Sequence, residues 1–308
     1  MEKIYGNEDI MSSLDAMFSS DRIPHSFLIF GEKGLGKKKI ADYIASKLVE
    51  SERVHAHPDV IYAEHEGKLQ GFKADHVRHL MADSFITPND ADKKVYIFTD
   101  CDNMSSVSQN ALLKVVEEPP QFSYFIFTVS SKDLMLSTIL SRVVSFGATE
   151  CSEEECMKAL TEKGFSEEDI SSAVSAFHGN IGKCESYISD ENIRSRIETV
   201  KNIADSIAEW NEYNTLKFLS AIEGERSDIK ESLYALSKIM RDASVSRFGG
   251  KYISCYPEGA KKISAKISSK KIEGIYLIIT ESIKKLDTNV SAGTELASLC
   301  GQIYNLYL

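Results

Sequence analysis

Residues 31 to 38 read Gly31-Glu32-Lys33-Gly34-Leu35-Gly36-Lys37-Lys38, the spacing of a loop that wraps phosphate groups in its backbone. Backbone N–H groups of such a loop, with the dipole of the helix that follows, hold the phosphates, and Lys37 would reach the outer ones. The pattern closes on a Ser or Thr whose hydroxyl ligates magnesium, and here Lys38 stands in that place. The cradle is complete and one metal ligand is missing. A second position repeats this. Asp100 ends the apolar run that starts at Lys94, where a nucleotide-hydrolysing site keeps a carboxylate for its metal. Many such sites place next the glutamate that activates water, and here the residue is Cys101. A thiol is a poor substitute for a carboxylate in polarising water. Asp102 is displaced by one position and points elsewhere on the turn. Taken alone, Asp100 reads equally well as a solvated strand-end residue.

The elements that must carry these residues alternate in the first half of the chain. Apolar runs at 26–30, 59–63, 94–100, 124–130 and 143–146 read as strands, with helical patterns at 37–50 and 74–84 between them. Continuous apolar strands separated by helices predict a parallel sheet covered on both faces. Ser106-Val107-Ser108-Gln109 fits a capping box that starts a further helix, which stops before Pro119-Pro120. After about residue 149 the strand-like runs end. Ser152 to Glu155 and Ser166 to Asp169 are helix starts, and 149–190 reads as three short helices. From Glu191 about five longer helices follow, broken near Trp210-Asn211, Glu223-Gly224, Gly249-Gly250 and Thr288-Asn289. The expected class is α/β followed by all-α, with domains at 1–148, 149–190 and 191–308.

Bulk properties narrow the function classes. Lys plus Arg total 36 against 46 Asp plus Glu, a net charge of −10, which argues against strong autonomous binding to a nucleic-acid backbone. No apolar run approaches the ~20 residues of a membrane span, and the first residues lack the apolar stretch of a signal peptide. The six cysteines are scattered without a Cys-x-x-Cys pair, so free thiols in a reducing cytoplasm are expected, and no metal site.

Two further segments are Asn110 to Pro120 and Thr138-Ile139-Leu140-Ser141-Arg142. Read alone, the first is an amphipathic helix with a proline stop and the second a helix end with a surface arginine. Together with the loop they resemble the clamp-loader branch of the AAA+ ATPases, in particular the delta-prime family of bacterial DNA polymerase III subunits. The likeness runs through most of the first 190 residues, including Arg22 to Phe30, His57-Pro58-Asp59 and Phe72 to Arg78. Beyond, it rests on helical character and Leu286 to Val290.

The resemblance implies an AAA+ P-loop domain, a small three-helix lid and a C-terminal helical collar that joins a ring. Arg142 lies in the family's Ser-Arg-Cys motif, with Val143 in place of Cys, and is implied to act as an arginine finger on a neighbouring subunit's nucleotide. Thr128 and Ser130 fall where the family senses the terminal phosphate; simple strand-end hydroxyls are the other reading. The implied partners are a tau/gamma ATPase subunit and delta, with the sliding clamp and primed DNA reached through the complex. Two departures accompany Lys38 and Cys101. The four-cysteine zinc module of many relatives is absent between Leu48 and His57, and Gly182 stands where a hydrolysing subunit has an arginine in its last lid helix.

Gly31, Gly34, Gly36, Lys37, Lys38, Asp100, Thr128 and Ser130 thus form a degenerate nucleotide site. Two readings of it stay open: it holds ATP or ADP, or the loop is structural only. The leading expectation is a clamp-loader subunit that hydrolyses ATP weakly or not at all. An active P-loop ATPase subunit and a non-replicative interaction scaffold are the alternatives.

Overall fold

The structure is a computed structural model that describes residues 3–20, 23–65, 71–288 and 290–306. Arg22 and Asn289, which fall in stretches used above, lie outside them. The chain forms two compact units, Met1–Ala159 with Gly179–Gly182, and Leu160–His178 with Lys183–Leu308.

In the first unit the chain runs α1 (Glu8–Ser19), β1 (Ser26–Phe30), α2 (Lys37–Leu48), β2 (Val60–Tyr62), α3 (Ala74–Asp83), β3 (Lys94–Phe98), α4 (Ser106–Glu117), β4 (Ser123–Val129), α5 (Ser137–Leu140), β5 (Val144–Gly147) and most of α6 (Glu153–Glu162). The strands form one sheet in the order β2-β3-β4-β1-β5, and every neighbouring pair is parallel. The alternation of strand side chains explains both covered faces. Phe27, Ile29, Val95, Ile97 and Ile126 pack with Leu14, Ile40, Ile44 and Leu48 on one side. Leu28, Tyr96, Phe98, Phe125 and Phe127 pack with Val77, Met81, Leu112 and Val115 on the other. Full burial of each such side chain stabilises by about 1.5–3 kcal/mol.

The strands sit within one or two residues of their expected positions. Two helical details differ. Helix α1 was not expected from the sequence, and the cap of α4 is Ser105, not Ser106. The Ser105 hydroxyl accepts the Ser108 N–H, so the capping residue precedes the expected one by a single position.

The second unit is helical: α7 (Glu167–Phe177), most of α8 (Ile181–Ser189), α9 (Glu191–Ala208), α10 (Glu212–Ser220), α11 (Arg226–Ser246), α12 (Pro257–Lys266), α13 (Ser269–Lys285) and α14 (Ala292–Tyr304). Six helices follow Asp190 among the described residues, where about five were expected. The unforeseen break lies between α12 and α13. There Ile267 is extended and Ser268 caps the new helix by accepting the Lys271 N–H, with no Gly or Pro to mark the stop. Among the described residues no helix is long and apolar enough to cross a membrane. None of the six cysteines is in a disulfide.

Candidate functional site

The glycine loop leaves the C-terminal end of β1, where a parallel sheet opens its ligand crevice. Gly31, Gly34 and Gly36 all have positive φ, at 146°, 93° and 79°. Gly36 is the left-handed N-cap of α2, and a Cβ at Gly31 would lie 2.7 Å from the Ala148 carbonyl oxygen. Glycine is required at 31 on packing grounds alone. Lys37 is buried, and its ammonium donates to the loop's own carbonyls, Gly31 O at 2.8 Å and Glu32 O at 3.0 Å. Lys38 is exposed, with Nζ 5.8 Å from the ring centre of Tyr62.

The neighbouring strand ends bring the other expected residues to the same edge of the sheet. Asp100 has φ 51° and an exposed side chain, and its N–H donates to the buried Thr128 Oγ1 at 2.8 Å. Ser130 donates through its N–H to Asp102 Oδ1 at 3.1 Å, and its hydroxyl bonds the same carboxylate. Asp102 is therefore drawn into the site, a role its displaced position in the sequence did not signal. Cys101 points inward, fully buried, with Sγ against the Phe98 carbonyl at 3.4 Å. Burial pushes its thiol far above the ordinary cysteine range, with help from the charges of Asp102 and Asp100. A neutral thiol facing the core cannot take a proton from water.

Residues 179–182 close on the loop. The Gly182 N–H donates to Gly34 O at 3.1 Å, and the buried Asn180 side chain donates to Lys33 O at 3.0 Å. A Cβ at Gly182 would stand 2.5 Å from the Gly34 Cα, so a larger residue cannot occupy this position without moving the loop. The sequence showed what Gly182 lacks; it gave no sign that the glycine is needed for this approach.

Arg142 lies elsewhere. It precedes β5, whose Val144 pairs with Phe27 near the start of β1, while the loop leaves β1 after Phe30. From Phe27 to Gly31 the strand spans about 13 Å at ~3.3 Å per residue, and Arg142 lies before the residue that pairs with Phe27. The side chain is 40% exposed. Its Nη1 donates to Thr138 O at 2.8 Å and to Ser141 Oγ at 2.9 Å, and its Nη2 lies 3.1 Å from Glu117 Oε1. The segments 110–120 and 138–142 thus meet through an ion pair between Glu117 and Arg142. Among the described residues no group of three or more His, Cys, Asp or Glu side chains could hold a metal ion.

Residues 6–151 match the family model described as DNA polymerase III, delta subunit. Over 259 residues the chain is 25% identical to DNA polymerase III subunit gamma of Buchnera aphidicola from Acyrthosiphon pisum, covering 77% of this chain and 70% of that protein. It is 30% identical over 179 residues to the protein of the same description from the Schizaphis graminum strain, covering 53% of this chain and 49% of the relative. The chain therefore spans from about half to 70% of the length of these curated relatives. A solved structure, the DNA polymerase III gamma subunit-related protein of Thermotoga maritima, aligns with a TM-score of 0.46 at 16% identity, covering 94% of this chain and 98% of that one. These sequence relatives are DNA polymerase III subunits, and the sheet is parallel with a glycine loop following β1.

Proposed function

We propose that this chain is a delta-prime-like subunit of a DNA polymerase III clamp loader, which supports ATP-dependent placement of a sliding clamp on primed DNA. Its contribution to the chemistry is Arg142, acting on a nucleotide held by the neighbouring ATPase subunit of gamma/tau type. Delta is the other partner, and the whole assembly is cytoplasmic. Residues 1–148 are the AAA+ domain, 149–190 the lid, and 191–308 the collar through which the chain joins the ring.

The observation that carries this reading is where Arg142 lies beside the sheet, in the turn that leads into β5. It stands at the edge where the strands begin, and its own glycine loop at the edge where they end. An arginine side chain reaches about half of the ~13 Å of strand between them, so Arg142 serves a phosphate on another molecule or none. A guanidinium placed there would neutralise charge developing on the transferred phosphoryl group, which is what a trans-acting arginine supplies.

The chain's own loop does not fit magnesium-dependent hydrolysis. The metal hydroxyl is replaced by Lys38, the water-activating position by the buried Cys101, and the lid arginine by Gly182. The Lys37 ammonium, which would meet the outer phosphates, donates to Gly31 O and Glu32 O. No step of the reaction is routed through this loop.

Reconstitution tests the proposal. A loader built from a gamma/tau ATPase, delta and this chain is expected to hydrolyse ATP in response to primed DNA. Omission of this chain should abolish the response, and the chain alone should show no turnover with magnesium and ATP. Turnover by the isolated chain, or a full response without it, contradicts the proposal.

A further inference from the structure

Arg142 is held from two directions by one helix. Near the N-terminal end of α4, the buried Gln109 makes three bonds: Nε2 donates to Met104 O at 3.0 Å and Leu134 O at 2.9 Å, and Oε1 accepts the Leu136 N–H at 2.8 Å. Leu136 is the N-cap of α5, so this amide fixes the point where the arginine-bearing segment begins. At the last residue of α4, Glu117 binds the guanidinium that ends the same segment. The two contacts are about two helical turns apart, ~12 Å along α4.

The guanidinium has five N–H groups. Thr138 O and Ser141 Oγ take both on Nη1, and the Glu117 carboxylate lies 3.1 Å from Nη2 as an ion pair. Among the described residues the Nε–H has no protein acceptor, and Nη2 meets the protein only through the ion pair with Glu117. A phosphate would use the Nε–H, and this does not require the ion pair with Glu117 to break.

We propose that Glu117 is a positioning residue for Arg142, holding the guanidinium on the platform that Gln109 fixes and leaving its Nε–H for a neighbour's phosphate. This rests on the trans-acting role of Arg142 given above. Glu117 is 45% exposed, so the pair is a surface contact of modest strength that orients the side chain without burying its charge.

The test compares reconstituted loaders carrying the wild-type chain, Glu117→Ala, Glu117→Gln, Arg142→Ala and the double variant Glu117→Ala/Arg142→Ala. The readouts are kcat and KM for ATP in DNA-stimulated hydrolysis, with the thermal midpoint of each chain. Glu117→Ala should lower kcat by up to about fivefold with KM and thermal midpoint unchanged, the size expected for an exposed pair. Glu117→Gln, which keeps an oxygen beside Nη2 and drops the charge, should stay within about twofold of wild type. The double variant should be no slower than Arg142→Ala, since Glu117 acts only through the arginine.

If Arg142→Ala is slow and Glu117→Ala is unchanged, the positioning role is overturned and the trans-acting arginine stands. The same holds if Glu117→Ala lowers the rate further in the Arg142→Ala background. An unaffected Arg142→Ala overturns the trans-acting reading and the role of Glu117 with it.

Discussion

Lys38 marks how far a single residue can mislead. In the sequence it is a lost hydroxyl beside an otherwise intact loop, which suggests that restoring the hydroxyl restores function. The structure adds that Lys37 bonds loop carbonyls and that Cys101 faces the core. Lys38→Thr is therefore expected to leave the isolated chain without magnesium-dependent ATP turnover; hydrolysis above background in a phosphate-release assay would contradict this. Asp59, noted in the sequence only as part of a family stretch, is a structural carboxylate. Fully buried, it accepts N–H bonds from Asn89 at 2.6 Å, Asp90 at 2.7 Å and Ala91 at 2.8 Å, which fix the approach to β3. Burial alone would raise its pKa, but the N–H bonds outweigh burial and hold it below the ordinary range. A depressed carboxylate contributes stability above its unfolded pKa of ~3.9, and that contribution is lost as pH falls through the lower folded value. Asp59→Asn, which sets an amide against three backbone donors, should lower stability in urea unfolding at pH 7 by about 2 kcal/mol. It should also flatten the decline in stability below pH 4, and an equal pH dependence in both chains would refute the assignment.

The strands were legible as elements because each is a continuous apolar run between turn signals, and a parallel sheet buries both faces. The loop at 31–38 was legible for the same local reason: its glycines and lysine are adjacent in the chain. What the sequence hid are contacts between distant segments. Asn180 and Gly182 touch the loop from about 150 positions away, and Glu117 meets Arg142 through folding of α4 against α5. The stop between α12 and α13 was missed because a serine cap replaces the usual glycine or proline. Gly182 gives the sharpest element-scale expectation. A methyl group there would stand 2.5 Å from the Gly34 Cα and 2.9 Å from its oxygen, so loop or helix must shift. Gly182→Ala should cost about 1–3 kcal/mol in chemical denaturation, as overpacking does. A neutral effect would show that the start of α8 does not rest on the loop.

At the scale of the whole molecule, the two halves of the chain differ in how much their residues reveal. The α/β part carries motifs whose chemistry is specific, and residues 6–151 match a described family. The helical part carries amphipathic periodicity, which specifies burial and little else, so its part in assembly rests on the proposal for the whole chain. A net charge of −10 argues against strong autonomous binding to a nucleic-acid backbone. Loss of a trans-acting arginine costs about 10³–10⁵ in rate where a single site depends on it, and less in a ring where other sites keep theirs. The decisive measurement is the DNA-stimulated ATPase rate of a reconstituted loader in which this chain carries Arg142→Ala, with assembly checked by gel filtration. The rate is expected to fall by at least about tenfold with the ring intact; an intact ring turning over at the wild-type rate would contradict the proposal that this chain acts on its neighbour's nucleotide.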